Sequence, residues 1–268
     1  MVTNPIKKCN QAVTQKYYTS PMKYKSIFIS DIHLGTKFSQ AEKLLDFMKE
    51  NESDNLYLVG DIIDGWAIKR KYRWAQSHSD VIQKILRRAR KGTNVVYITG
   101  NHDEFLRSFL PIILGDNLTI VNEIDYIAQN GKRYYVTHGD FFDSITMTKK
   151  WLAIAGDIGY DLLLHLNGTL NFIRRRFGIK RYWSLSKYVK DNVKKSVSFI
   201  DDFEGTLAKH AKQKGYDGII CGHIHKAEMK MINNVEYKNS GDWVESCTAL
   251  VETLDGKWKI IDWLDNED

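Results

Sequence analysis

Along the first half of the chain, short runs of β-branched and aromatic residues alternate with stretches whose apolar positions recur every three or four residues. Ser26-Ile27-Phe28-Ile29-Ser30, Asn55 to Gly60 and Asn94 to Gly100 end in glycine or polar loops and read as buried strands. Between them, Gln40 to Lys49 places Leu44, Leu45 and Met48 on one face. Ser79 to Lys91 does the same with Val81, Ile82, Ile85 and Leu86, so both predict helices. Strand and helix alternate, which predicts an α/β fold with helices outside the sheet.

A further strand is expected at Tyr134 to Thr137, after which the pattern changes. From about Ser144 to Lys214 no strand pattern is present, and this stretch is expected to be a helical insertion. Strand patterns return at Gly218 to Cys221, Ala249 to Glu252 and Lys257 to Trp263. The chain thus completes its sheet after the insertion, which is expected to sit over the core as a cap. Residues 1–25, with five lysines among polar residues, are expected to be a flexible leader to one domain spanning 26–268.

Composition changes this picture little: 43% apolar and 27% charged residues in 268 suit one large globular domain. The net charge of +6 is compatible with an anionic substrate, an acidic membrane or nucleic acid, without choosing among them. No apolar run reaches the roughly 18 residues of a membrane span. The nearest candidate, Trp151 to Leu170, is interrupted by Asp157, Asp161, His165 and Asn167, so any membrane association is expected to be peripheral. Cys9, Cys221 and Cys247 match no disulfide or zinc pattern, which points to a reducing cytosol.

The chemistry lies at the strand ends. Asp31-Ile32-His33, Gly60-Asp61-Ile62-Ile63-Asp64, Gly100-Asn101-His102-Asp103, His138-Gly139-Asp140 and Gly222-His223-Ile224-His225 each follow an expected strand. An α/β sheet gathers such ends on one edge, where its sites form. One Asp-x-His is a weak signal; five motifs in order are a strong one. Asp31, His33, Asp61, Asn101, His138, His223 and His225 offer mixed oxygen and nitrogen ligands without thiolate, suited to Mn²⁺, Fe²⁺ or Zn²⁺. They are too many for one first-row ion, so a pair sharing a carboxylate is expected. Such a pair activates water and neutralises phosphoryl oxygens, which is the chemistry of phosphoester hydrolysis. Asp64, Asp103 and Asp140 read equally as acceptors for loop amides, Asp103 also as a catalytic group. His78, His165 and His210 fall outside every motif and are expected at the surface or in the cap.

In this order the motifs resemble those of the calcineurin-like metallophosphoesterase superfamily. The resemblance implies an αββα sandwich with a helical cap insertion. It also implies one ion held by Asp31, His33, Asp61 and His225, and a second by Asp61, Asn101, His138 and His223, with Asp61 the bridge. His102, oriented by Asp103, would steady transition-state charge or protonate the leaving oxygen.

Asp31-Ile32-His33-Leu34-Gly35, the block from Tyr57 to Trp66, the insertion and Gly241-Asp242-Trp243-Val244-Glu245 are similar to the UDP-2,3-diacylglucosamine hydrolases, nearest their second type. That resemblance implies cleavage of a lipid-linked UDP-sugar to UMP and 2,3-diacylglucosamine 1-phosphate in lipid A biosynthesis, in the cytoplasm of a Gram-negative bacterium. Asn101, His102, Asn192 and Lys195 would contact the substrate, the last two within an Asn-x-x-Lys-Ser segment. The apolar Trp151–Leu170 stretch beside the basic, aromatic segment from Phe172 to Trp183 reads from composition as a cap helix packed on the core with a solvated charged turn, or as a device for docking peripherally on the anionic inner membrane, and the resemblance shifts the balance toward docking. The better-known type of this hydrolase has Arg at the place of His102, a departure that keeps a general phosphodiesterase or a protein or nucleotide phosphatase open as alternatives. No nucleic-acid partner is expected, and a non-catalytic scaffold is disfavoured because every expected ligand is present.

Overall fold

The computed structural model describes residues 21–70, 74–142, 200 and 202–264. Most of the expected leader and of the expected cap, with His165, Asn192 and Lys195, lies outside the described residues.

Two sheets face one another. The larger holds β1 (Met22–Ile29), β2 (Asn51–Val59), β3 (Asn94–Ile98), β4 (Ile112–Ile113), β5 (Leu118–Val121), β11 (Thr248–Glu252) and β12 (Trp258–Asp262) in the order β12-β11-β1-β2-β3-β5-β4. The smaller holds β6 (Glu123–Ile127), β7 (Arg133–Thr137), β8 (Gly218–Cys221), β9 (Glu228–Ile232) and β10 (Val235–Asn239) in the order β6-β7-β8-β10-β9. β1, β2, β3 and β5 are mutually parallel, as are β7, β8 and β10.

The four-layer αββα arrangement follows from strands that are apolar on both faces. In β1, Ile27 and Ile29 point outward to α1 (Ala41–Glu50) and α3 (Gln76–Arg90), while Phe28 points between the sheets. Leu56 and Leu58 against Tyr57 and Val59, and Val95 and Tyr97 against Val96 and Ile98, divide in the same way. From the other sheet Tyr134, Val136 and Ile220 enter the central layer, where Phe28 stacks on Tyr57 at 4.6 Å. Tyr135, Ile219, Cys221 and Tyr237 face outward, against Phe203, Leu207, Ala208 and Ala211 of the helix at 202–213.

The αββα sandwich that the resemblance implies is present: strands that read as one alternating series divide into two sheets, because β7 and β8 pair with each other rather than extending β3. Two expectations change. β1 begins at Met22, so residues 22–25 of the expected leader belong to the sandwich, with Tyr24 buried in its outer layer. Residues 202–213, inside the expected cap range, form the fourth layer of the sandwich and not a cover over it.

Candidate metal centre

Each functional strand is buried to its last residue, and the chain turns sharply just beyond. Asp31, His33, Asp61, His223 and His225 all adopt left-handed backbone conformations, with φ of 53°, 51°, 54°, 72° and 53°. For residues bearing a Cβ this costs about 1–3 kcal/mol each, strain that persists only where the surroundings enforce it. Here Asp31 N–H donates to Gly60 O at 3.0 Å, His33 N–H to Asp61 O at 2.9 Å, and His223 N–H to Asp31 Oδ2 at 3.0 Å. The motif glycines permit the approach: a Cβ on Gly60 would overlap the His138 ring, and one on Gly100 would overlap Asp61 Oδ1.

The turns bring three overlapping groups of donors together: Asp31, His33 and His225; His33, Asp61 and His102; and Asp61, His138 and His223, each within 4.8 Å. Asp61 is central. Its Oδ2 lies 3.3 Å from His138 Nε2 and 3.9 Å from both His33 Nε2 and His102 Nε2. Its Oδ1 accepts from His102 N–H at 2.8 Å. On the other side Asp31 Oδ1 lies 3.3 Å from His225 Nε2.

Neighbours set which nitrogen of each ring faces inward. A carbonyl can only accept, so His138 Nδ1 donates to Val59 O at 2.9 Å and Nε2 is left for the site. His33 Nδ1 pairs with Asp64 Oδ2 at 3.1 Å, which likewise turns Nε2 inward. His102 Nδ1 stands 2.9 Å from the same Asp64 oxygen, without a well-aligned hydrogen bond. Trp66 covers the His102 ring at 4.3 Å between centroids.

The electrostatics follow from burial and the opposed charges. Burial alone would raise the Asp61 and Asp31 carboxyls, but the surrounding imidazoles more than offset it and hold both below the ordinary range. Asp64 is depressed in the same way, burial being outweighed by His102 and His33. Burial would lower His138, yet Asp61 and then Asp31 carry it up to about 10. His225 rises to about 8, burial again being outweighed, by Asp31. His102 is raised for the same reasons, through Asp64 and Asp61.

These residues fit a cation better than they fit one another. Asp31 Oδ1, His33 Nε2, Asn101 Oδ1 and His138 Nε2 are buried without hydrogen-bond partners, and Asp31, His33 and His138 belong to the overlapping donor groups. Donors bound about 2.1 Å from one ion are about 3.0–3.4 Å apart at octahedral or tetrahedral angles, the spacing found for Asp61–His138 and Asp31–His225.

Asp103 does not orient His102. It is fully buried, accepting from Ile62 N–H at 2.9 Å, Tyr97 O–H at 2.6 Å and Gly100 N–H, so it ties the second and third ligand loops together. Burial, then the charge of Asp61, raises its pKa. Asp64 is the carboxylate beside His102, the place that the resemblance implies for Asp103. Its position three residues after Asp61 was visible, but the two histidines it meets come from other strands. Both carboxylate oxygens of Asp140 accept from Arg107 Nη2, at 3.0 and 2.9 Å. His78, expected at the surface, is buried and accepts Gly35 N–H at 3.0 Å, bracing the first ligand loop. His210 packs on Tyr135 and Phe142.

A four-layer sandwich that gathers buried carboxylates and imidazoles at the shared edge of its two sheets defines a metal-dependent phosphoester hydrolase. The chain belongs to the calcineurin-like phosphoesterase family, whose profile matches residues 24–227. It is similar to the UDP-2,3-diacylglucosamine hydrolase of Psychromonas ingrahamii, 25% identical over 82% of this chain and 89% of that one. The enzyme of that name from Haemophilus ducreyi is 24% identical over 84% and 94% of the two chains. Among solved structures, the E. coli phosphoesterase Yfce matches with a TM-score of 0.47 and 15% identity over 90% of this chain and 94% of that one.

Proposed function

We propose that the enzyme hydrolyses the pyrophosphate of UDP-2,3-diacylglucosamine, releasing UMP and 2,3-diacylglucosamine 1-phosphate, with two divalent ions as cofactors and Mn²⁺ preferred over Fe²⁺ or Zn²⁺. The observation that carries the reaction is the convergence of Asp31, His33, Asp61, His138, His223 and His225 in overlapping groups of donors, with Asp31 Oδ1, His33 Nε2 and His138 Nε2 buried and unpaired. Support for the substrate comes from the two hydrolases of that name, which align along more than four-fifths of the chain.

Asp31, His33, Asp61 and His225 would hold one ion, and Asp61, Asn101, His138 and His223 the other. Bound there, the ions would lower the pKa of a water and neutralise the phosphoryl oxygens under attack. The protein's own contribution is to fix the donors in advance: Val59 O and Asp64 present His138 and His33 by Nε2, and Asp103 locks two loops against each other. His102, its pKa raised by Asp64 and Asp61 against the effect of burial, holds its proton to higher pH than a free imidazole does. It is suited to balance phosphoryl charge or protonate the departing oxygen. Asn192 and Lys195 complete the proposal as contacts to sugar and phosphate. The enzyme would work at the cytoplasmic face of the inner membrane, docked from one side; no described helix is long and apolar enough to cross a membrane.

Purified protein with Mn²⁺ and UDP-2,3-diacylglucosamine is expected to release UMP, followed by chromatography. No UMP, alongside brisk turnover of bis(p-nitrophenyl) phosphate, would favour the general phosphodiesterase that His102 also fits and would sink the lipid assignment.

A further inference from the structure

Every exposed phenylalanine and tryptophan among the described residues lies in a connection between strands that also carries candidate ligands. Phe38 follows β1, Trp66 follows β2, Phe105 and Phe109 follow β3, and Phe141 follows β7. Phe109 is 70% exposed and Phe38 60%, and β1, β2 and β3 are parallel, so the connections that carry Phe38, Trp66, Phe105 and Phe109 leave the larger sheet at one end. At the opposite ends of the strands the exposed large apolar residues include Met22, Ile127 and Leu254, none of them aromatic.

We infer that this aromatic rim, carried by the sandwich itself, is a docking face for an anionic lipid surface. The inference rests on the reading that the substrate is an amphiphile held in a bilayer. Two observations choose the occupant. Exposed cations lie on the same loops: Lys37, with its Nζ 4.8 Å from the Phe38 ring, and Lys69 and Arg70 at the end of α2 (Gly65–Arg70). The exposed acid among these loop residues, Glu104, is taken by the Trp66 indole N–H at 3.1 Å. Aromatic rings interleaved with lysine and arginine suit the headgroup region of an anionic bilayer, where rings enter and cations meet phosphate.

A second copy is the poorer occupant. A two-fold contact through this face would set the patch that carries Lys37, Lys69 and Arg70 against an identical, equally cationic patch. It would also close the edge through which substrate reaches Asp61. A bilayer has the opposite charge and delivers the substrate to that edge.

The test is sedimentation with vesicles of phosphatidylglycerol and phosphatidylcholine, compared with phosphatidylcholine alone. Binding is expected only with phosphatidylglycerol and is expected to weaken roughly tenfold in the double variant Phe38→Ser, Phe109→Ser. Turnover of soluble bis(p-nitrophenyl) phosphate should be unchanged, which shows that the variant is folded. Phe109→Trp should retain binding. Equal sedimentation of wild type and double variant would overturn the proposal, as would a wild-type dimer that the variant dissolves without any vesicle binding. Vesicle binding lost in the variant, in a protein that releases no UMP from the UDP-lipid, would uphold the docking face and overturn the substrate.

Discussion

The two halves of the site differ in closure. Around Asp61 and His138 the side chains are buried, and the imidazole is fixed by a backbone carbonyl of β2. Around Asp31 and His225 the carboxylate is equally buried, but the histidine side chain is 39% exposed. Burial would lower both histidines, but carboxylates outweigh it: Asp61 and then Asp31 carry His138 up to about 10, and Asp31, then Asp242 and Asp61, carry His225 to about 8. The closed half thus sets the positions, and the open half meets solvent and substrate. A site open on one side and rigid on the other can exchange reactants without losing its geometry.

The most damaging change should be at the residue common to both halves. Asp61→Ala is expected to reduce kcat at least ~1,000-fold with any phosphoester and to halve or abolish bound metal. Steady-state kinetics with elemental analysis would check this, and near-normal turnover would exclude a central role. Asp64→Asn should act less severely, lowering activity or metal affinity about 10–100-fold, because it disturbs the orientation of His33 and His102 without removing a ligand. An equal loss from Asp103→Asn in the catalytic step alone, with stability intact, would reverse the roles given to these two carboxylates.

The halves should also differ in their response to pH. An imidazole must shed its proton to bind a cation, so raised values in the metal-free protein make ion binding release protons. At about pH 7 both His138 and His225 are protonated before binding, and affinity should fall as pH falls, by about tenfold per unit for each proton displaced. Calorimetry of Mn²⁺ binding in buffers of different ionisation enthalpy measures the proton count; a count of zero would contradict the electrostatics. The smallest effect is expected at His78. His78→Leu leaves the buried Gly35 N–H without its acceptor, and the resulting loss of stability is about 1–3 kcal/mol, measurable by denaturant titration.

Much of this was legible in the sequence, for reasons that differ by region. β1, β2, β3, β7 and β8 are continuous apolar runs because both faces are covered, and the acidic and imidazole residues stand out against them. β9, Glu228–Ile232, alternates charged with apolar residues at the sheet edge, and the two-residue β4 is too short to leave a pattern, so neither was anticipated. The ligand motifs are local. The partners of Asp64, Asp103 and His78 come from other strands and helices, and nothing adjacent in sequence distinguishes a carboxylate that turns a histidine from one that ties two loops.

The most direct test of the central claim is a crystal structure of the Mn²⁺-loaded protein with anomalous scattering recorded at the manganese edge. Two peaks about 3.5–4 Å apart, with Asp61 between them, His33 and His225 on one side and His138 and His223 on the other, is the expected result. A single peak, or two peaks that do not share Asp61, would contradict it.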